Sequence, residues 1–356
     1  MTATIRTRIM PRTTFCTPLQ ADTLWGHLVI NYGYRYGQDK LKELLARFET
    51  DPPFLVSDGF PRGYLPRPRL SLSGEKISGL VELVEEQFDD VPAQLVVSQM
   101  LGHFRKSQFI SFQLLADNID DLSMEKIAQY IITDALKPLD QLDPRKLDES
   151  LRDYTIVDSL CYDPDVWRPD IKLKTTETIK NSINRLTGSS RKMWGQEEIY
   201  WPDGFDIYFK VFDDSYRDLI EELLQDLQMS GYGSNKSNGK GHFEIESIEE
   251  IDLPAPAQAN AFVSLSSFVP EQGDPLDGNY GIRVKRGKIG EGFPGKISPF
   301  KRPALMLETG STFNVENPDH YYGSLLDNIH FNPEIRHYAY CFPLYVRLTN
   351  ENGGTD

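Results

Sequence analysis

Between residues 205 and 248 the hydrophobic pattern changes period twice. FDIYFKVF (Phe205 to Phe212) alternates apolar and polar positions as a strand does. Tyr216, Leu219, Ile220, Leu223, Leu224 and Leu227 then recur at helical spacing, which predicts an amphipathic helix with a continuous buried stripe. Asp213, Asp214 and Ser215 supply its start, and Gly231 is placed to end it in the left-handed conformation. Alternation returns in HFEIESI (His242 to Ile248), with Phe243, Ile245 and Ile248 as candidate inward residues. The order is strand, helix, glycine loop, strand.

That order constrains the chemistry of the loop, GYGSNKSNGKGHF (Gly231 to Phe243). Walker and dinucleotide loops follow a strand and precede a helix, so that phosphate meets a helix N-terminus. Here the loop follows a helix, whose C-terminus repels anions. A phosphate bound here is held instead by backbone N–H groups freed by Gly231, Gly233, Gly239 and Gly241, with Asn235, Ser237, Lys236 and Lys240 beside them. The other reading of the same residues is a flexible exposed connection.

The rest of the chain divides into shorter patterns. A first strand ends at Phe15, and Asp22 caps a helix carrying Leu24, Trp25, Leu28, Val29 and Tyr32, with His27 opposite that stripe. A second helix spans Lys40 to Phe48. In SDGFPRGYLPRPRL (Ser57 to Leu70), Gly59, Pro61, Gly63 and Pro66 argue against regular structure, while Arg62, Arg67 and Arg69 alternate with Phe60 and Tyr64. Such interleaving suits gripping phosphates and stacking bases; a rigid loop sealing a domain edge fits equally. Ile77 to Phe88 is an acidic helix, Arg105 to Ile119 a short strand entering a helix, and Ser123 to Leu136 a helix with Ile127, Tyr130, Ile131 and Leu136 inward. Asp140 to Asp153 is polar and reads as an insertion surface.

Lys174 to Trp201 predicts two strands joined by a basic tip, LTGSSRKMWG, with Met193 and Trp194 exposed at its end beside Arg191 and Lys192. That tip suits a finger pushed between bases or into a partner, or a clamp folded onto its own domain. LPAPAQANA (Leu253 to Ala261) is a linker, which divides the chain into domains at 1–252 and 262–356. Strands at Phe262 to Pro270, Tyr280 to Lys285, Lys301 to Phe313 and His337 to Leu348 fill the second domain. The class is α+β.

Composition adds three constraints. The 356 residues are 39% hydrophobic and 11% aromatic, enough for packed cores. No apolar run approaches membrane-span length and the first residues lack a signal-peptide core, so a cytoplasmic location with no membrane is expected. Cys16, Cys161 and Cys341 are far apart and indicate neither a disulfide framework nor a zinc site. The net charge of −15 is unevenly spread: residues 283–302 carry a net +6 and 168–192 a net +5, leaving −26 on the other 311. That asymmetry suits a basic groove on an acidic exterior, or a solvated face.

Taken in order, FCTPLQADTLWGHL, SDGFPRGYLPRP, NSINRLTG, GYGSNKSNGKGHF, VSLSSFVP, ETGSTF and HYAYCFPLYVRL resemble the RAMP superfamily of CRISPR proteins. Within it they are most similar to the type III-A (Csm) subunit that caps the 5′ handle of the guide RNA. The resemblance implies two ferredoxin-like domains of the RNA-recognition type, and a heteromeric complex with guide RNA, a large polymerase-like subunit and a backbone RAMP subunit. Carried over by position, Gly231, Gly233, Lys236, Ser237, Gly239 and Gly241 match the family's glycine motif, Arg185 lies in the matching NSINRLTG strand and Arg62 in the matching GFPRGYLP loop. Few family landmarks fall between Ile77 and Asp170, and none covers the basic run from Arg283 to Arg302.

Catalytic signatures are sparse. His320, His330 and His337 lack metal-ligand spacing, and no GxSxG, HD or GGDD sequence occurs. The expectation is a non-enzyme without cofactor or metal. Two competing readings stand beside it: an RNA endonuclease using His27 as general acid or base, as some RAMP relatives use a histidine near the first strand, and an RNA-independent scaffold.

Overall fold

The computed structural model describes residues 2–72, 74–89, 91–136, 147, 151, 155–157, 160–161, 174–290 and 298–349. Most of the Asp140 to Asp153 insertion, together with Arg168, Lys172 and Lys296, lies outside them. In chain order the elements are β1 (Ala3–Pro11), α1 (Ala21–Tyr36), α2 (Gln38–Thr50), β2 (Phe54–Pro61), β3 (Tyr64–Pro66), α3 (Gly74–Gln87), α4 (Ala93–Lys106), β4 (Ser107–Ser111), α5 (Phe112–Asp117), α6 (Met124–Tyr130), β5 (Thr155–Val157), β6 (Leu160–Cys161), β7 (Lys174–Ile183), β8 (Ser190–Tyr200), β9 (Phe205–Val211), α7 (Arg217–Ser230) and β10 (Phe243–Ile251). Eight short strands follow: β11 (Ala261–Ser264), β12 (Gly278–Asn279), β13 (Ile282–Lys285), β14 (Ala304–Leu307), β15 (Thr312–Asn314), β16 (Tyr322–Leu326), β17 (His337–Cys341) and β18 (Pro343–Val346).

Two compact units emerge: Met1–Arg62 with Asp158–Ile251 and Gly290–Gly292, and Gly63–Val157 with Asp252–Ile289 and Phe293–Asp356. Residues 63–157, expected in the first domain, instead pack with the second unit, because their backbone is bonded there. Arg69 N–H donates to the Gly310 carbonyl at 2.9 Å, Leu122 N–H to Arg347 at 2.7 Å and Arg347 N–H to Ile119 at 3.0 Å.

The first unit holds an antiparallel sheet in the order β10-β1-β9-β2. With α1 after β1 and α7 after β9, this is the βαββαβ ferredoxin-like arrangement. The apolar stripe of α7 is the one periodicity predicts: Ile220, Leu223, Leu224 and Leu227 are buried. Trp25 of α1 meets Phe48 of α2 edge-on at 5.3 Å, and Phe48 meets Phe54 of β2 at 5.1 Å. Strand β9 does not alternate in burial, since Asp206 and Tyr208 on its second face are covered too. The three-residue step from Ile245 to Ile248 has a local cause. A register shift opposite Arg8 and Ile9 leaves Glu246 as a bulge, so Ile245 faces Ile9 while Ile248 faces Thr7.

Further expectations need correction. Ser57 to Leu70 contains β2 and β3, despite its glycines and prolines. Strand β2 is a sheet edge, where a proline forfeits no ladder bond, and Gly59 N–H turns away to the Leu19 carbonyl at 2.7 Å. Asp22 does not cap α1: the helix begins at Ala21, and the buried Asp58 accepts the Ala21 N–H at 2.7 Å. Asp58 reaches that helix end because the β2–β9 register breaks between Val56 and Gly59.

In the second unit a sheet in the order β12-β15-β11-β18 is joined by the pairs β13-β14 and β16-β17 and by β3-β4-β5. Phe262 stacks on Tyr322 at 4.4 Å within a core that includes Phe268, Phe313 and Cys341. The runs 301–313 and 337–348 each supply two strands rather than one, with the positive-φ Gly310 (φ 82°) between β14 and β15. Helix α4 has no counterpart in the sequence reading, although Val96, Val97, Met100 and Phe104 form its buried stripe.

Candidate nucleic-acid interface

Helix α7 ends at Gly231, which has φ 77° and ψ 161°. The positive φ matches expectation, but the extended ψ carries the chain away from the helix instead of holding the left-handed helical conformation. Tyr232 then turns into the interior. Its hydroxyl donates to the Pro18 carbonyl at 2.6 Å and accepts the Gln20 N–H at 3.2 Å, and its ring meets Phe15 edge-on at 5.9 Å. Burial pushes that hydroxyl's pKa far up, so it stays protonated and able to donate.

Backbone bonds close the loop above this anchor. Tyr232 N–H donates to the Gly241 carbonyl at 2.9 Å, and Gly241 N–H to the Thr14 carbonyl at 2.9 Å. The segment after β1 continues the clamp: Arg12 and Thr13 donate to the His242 carbonyl, and Thr17 Oγ1 accepts the Ser234 N–H at 3.0 Å. Glycine is required at Gly241 (φ 69°), where a Cβ would lie 1.9 Å from the Tyr232 carbonyl oxygen, and at Gly233 (φ 74°), where it would lie 2.7 Å from Thr17 Cβ. The loop is a closed, hydrogen-bonded structure.

Its tip is a short 3₁₀ turn, Lys236–Asn238, between left-handed Asn235 (φ 62°) and Gly239 (φ 81°). Ser234, Ser237, Asn238 and Gly239 are exposed or partly so, and Lys236 is half-buried. A left-handed residue followed by right-handed ones turns successive N–H groups the same way, the geometry of an anion nest. Among the described residues, the N–H groups of Asn235 and Ser237 have no acceptor in the chain.

Two sequence candidates meet here. His27 projects from α1 so that Nε2 accepts the Gly233 N–H at 3.1 Å, with its ring 5.2 Å from Tyr232. Lys240 points the other way, donating to Glu198 at 2.6 Å and to Thr14 Oγ1 at 3.0 Å. Burial alone would raise the Glu198 pKa, but the bonds from Lys240 and Thr14 outweigh it and hold the carboxyl below the usual range. Glu198 carries no signal in the sequence pattern. It lies next to Ile199, which bridges Phe15 through a pair of 2.8 Å bonds, so it fixes the base of the β7–β8 hairpin against the loop.

The remaining basic candidates are scattered. The hairpin turns at residues 184–189, Arg185 and Lys192 are exposed, and Arg191 lies in β8. Met193 and Trp194 are also in β8, opposite Asn181 and Lys180 and not at the tip, and are 71% and 48% exposed. Arg62 is exposed and pairs with Glu246 at 3.2 Å. Arg67 belongs to the second unit, where its guanidinium donates to the Ser107 and Pro68 carbonyls; burial, reinforced by Arg69, lowers its pKa. Among the described residues no group of His, Cys, Asp and Glu could hold a metal, and no helix is long and apolar enough to cross a membrane.

The sequence profile of the RAMP superfamily matches residues 18–244, which include the whole loop. A chain in the crystal structure of a Csm1-Csm4 cassette in complex with cA4 is similar over 98% of this chain and 99% of its own, at 17% identity and a TM-score of 0.53. A chain in the Csm3-Csm4 subcomplex of the type III-A CRISPR-Cas interference complex is similar over 97% and 99%, at 14% identity and a TM-score of 0.51. No curated protein sequence matches.

Proposed function

The chain belongs to the RAMP superfamily, and from that premise we propose that it is the RNA-binding subunit of a type III CRISPR effector complex that holds the 5′ handle of the guide RNA. In this role it bridges the large polymerase-like subunit and the backbone RAMP subunits, as the Csm1-Csm4 and Csm3-Csm4 likenesses suggest. The observation that carries the reading is the closed glycine loop, whose tip offers unpaired N–H groups and short polar side chains on a body that already fixes its shape. Preorganisation of this kind favours one short backbone conformation over random RNA.

The role is structural and non-catalytic. To act as a general base, His27 would have to release the Gly233 N–H that its Nε2 accepts, which favours a loop-holding role over cleavage. The test is to purify the complex carrying this chain and sequence the 5′ ends of its RNA. One constant short 5′ sequence supports the proposal. Random ends would overturn it, and the absence of RNA would overturn it in favour of a scaffold.

A further inference from the structure

The basic run after Tyr280 has no place in the loop's chemistry. In the structure it forms a two-stranded ribbon in the second unit. Strands β13 and β14 pair from Ile282 with Leu307 to Lys285 with Ala304, and the pairing continues through Lys288 and Phe300. Alternation along it is inverted relative to an ordinary surface ribbon. Ile282, Val284 and Leu305 are 61%, 55% and 66% exposed, with Val284 and Leu305 directly opposite each other. Beyond the end of β13, Arg286 and Lys288 are also exposed, and Lys288 Nζ sits 5.4 Å over the exposed Phe300 ring. No acidic residue occurs among residues 278–290 or 298–307.

Three aliphatic side chains grouped in water, next to cations that no acidic residue among the ribbon's described residues balances, describe half of an interface. RNA is a poor occupant. Its bases stack on aromatic faces, whereas the centre of this patch is aliphatic. A protein surface with an apolar centre and a carboxylate rim matches both parts, because it covers the side chains and balances the cations together.

We propose that the outer face of this ribbon is a protein-docking surface, and that its partner is an acid-rimmed apolar patch on another subunit of the effector complex. The proposal rests on the assembly half of the function proposed above and is independent of its RNA half. Because all four side chains are exposed, Val284→Asp with Leu305→Asp and, separately, Arg286→Glu with Lys288→Glu should leave the fold intact, which circular dichroism checks.

Each full-length variant is mixed with purified large subunit and with purified backbone subunit, and separately with handle RNA. The expected result is at least a tenfold loss of affinity for one protein subunit in both double variants, with RNA binding by the isolated chain unchanged. Wild-type affinity for both subunits, loss of RNA binding instead, or a change only in self-association would each overturn the docking proposal while leaving the loop's function standing. If the wild-type chain binds neither subunit, the assembly reading falls and this proposal falls with it.

Discussion

His27 Nε2 accepts the backbone N–H of Gly233 at 3.1 Å, so the first helix of the chain supports a loop 206 residues downstream. The bond occupies the lone pair that cleavage chemistry would need. His27→Ala should leave a partly buried N–H without an acceptor, a loss of about 1–3 kcal/mol, and should weaken handle retention. His27→Gln, which can present an amide oxygen, should restore much of it. Wild-type protein incubated with repeat RNA should yield no cut product; a reproducible cut abolished by His27→Ala would reassign the chain as a nuclease.

The glycines of the loop should separate by the space around them. A Cβ at Gly241 meets the Tyr232 carbonyl oxygen, so Gly241→Ala should break the loop's closing bond and lower the melting temperature. A Cβ at Gly239, where φ is 81°, would have nothing within 4 Å of it, so Gly239→Val costs strain alone, about 1 kcal/mol or more. That variant should stay folded while retaining less guide RNA, because its side chain stands on the exposed tip. Folded Gly239→Val protein that keeps guide RNA like the wild type would reduce the loop to a connector.

Much of this is legible from local pattern, and what is not has identifiable physical causes. The stripe of α7 and the glycine loop are properties of contiguous residues. Glu198 is not: as the second of two glutamates beside Ile199 it looks like a solvated position, and only the return of Lys240 and Thr14 from distant parts of the chain buries it. Gly59 and Pro61 read as strand breakers because nothing in their neighbourhood says that β2 is an edge. The same holds for residues 63–157, whose packing with the second unit depends on bonds to Gly310 and Arg347.

Acid should loosen the loop before it unfolds the sheet. The folded Glu198 carboxyl has a lowered pKa, so its contribution is fully present above the ordinary glutamate range and is lost as pH falls through the folded value. Thermal melts should show stability declining below about pH 4.5, and Glu198→Gln should flatten that decline. Lys240→Ala strands a buried carboxylate at neutral pH. Because Lys240 is itself 30% exposed, the loss should be about 2–3 kcal/mol, near the low end for breaking such a pair.

The salt dependence of RNA binding should be moderate despite the number of basic residues in the candidate tracts. Single-stranded RNA contributes a log-log slope of about −0.7 for each phosphate contact. Lys240 is already balanced by Glu198, Arg62 by Glu246, and Arg67 is turned to carbonyls. Taking Lys236, Arg185, Arg191 and Lys192 as the candidate phosphate contacts gives about three or four and a slope between about −2 and −3. Titrations of the isolated chain from low to moderate salt measure it directly. Lys192→Ala should make the slope shallower by about one contact, whereas Arg67→Ala should leave it unchanged even if it weakens folding. A steeper slope that Arg286→Glu with Lys288→Glu reduces would place RNA on the β13–β14 ribbon and remove the protein partner assigned to it.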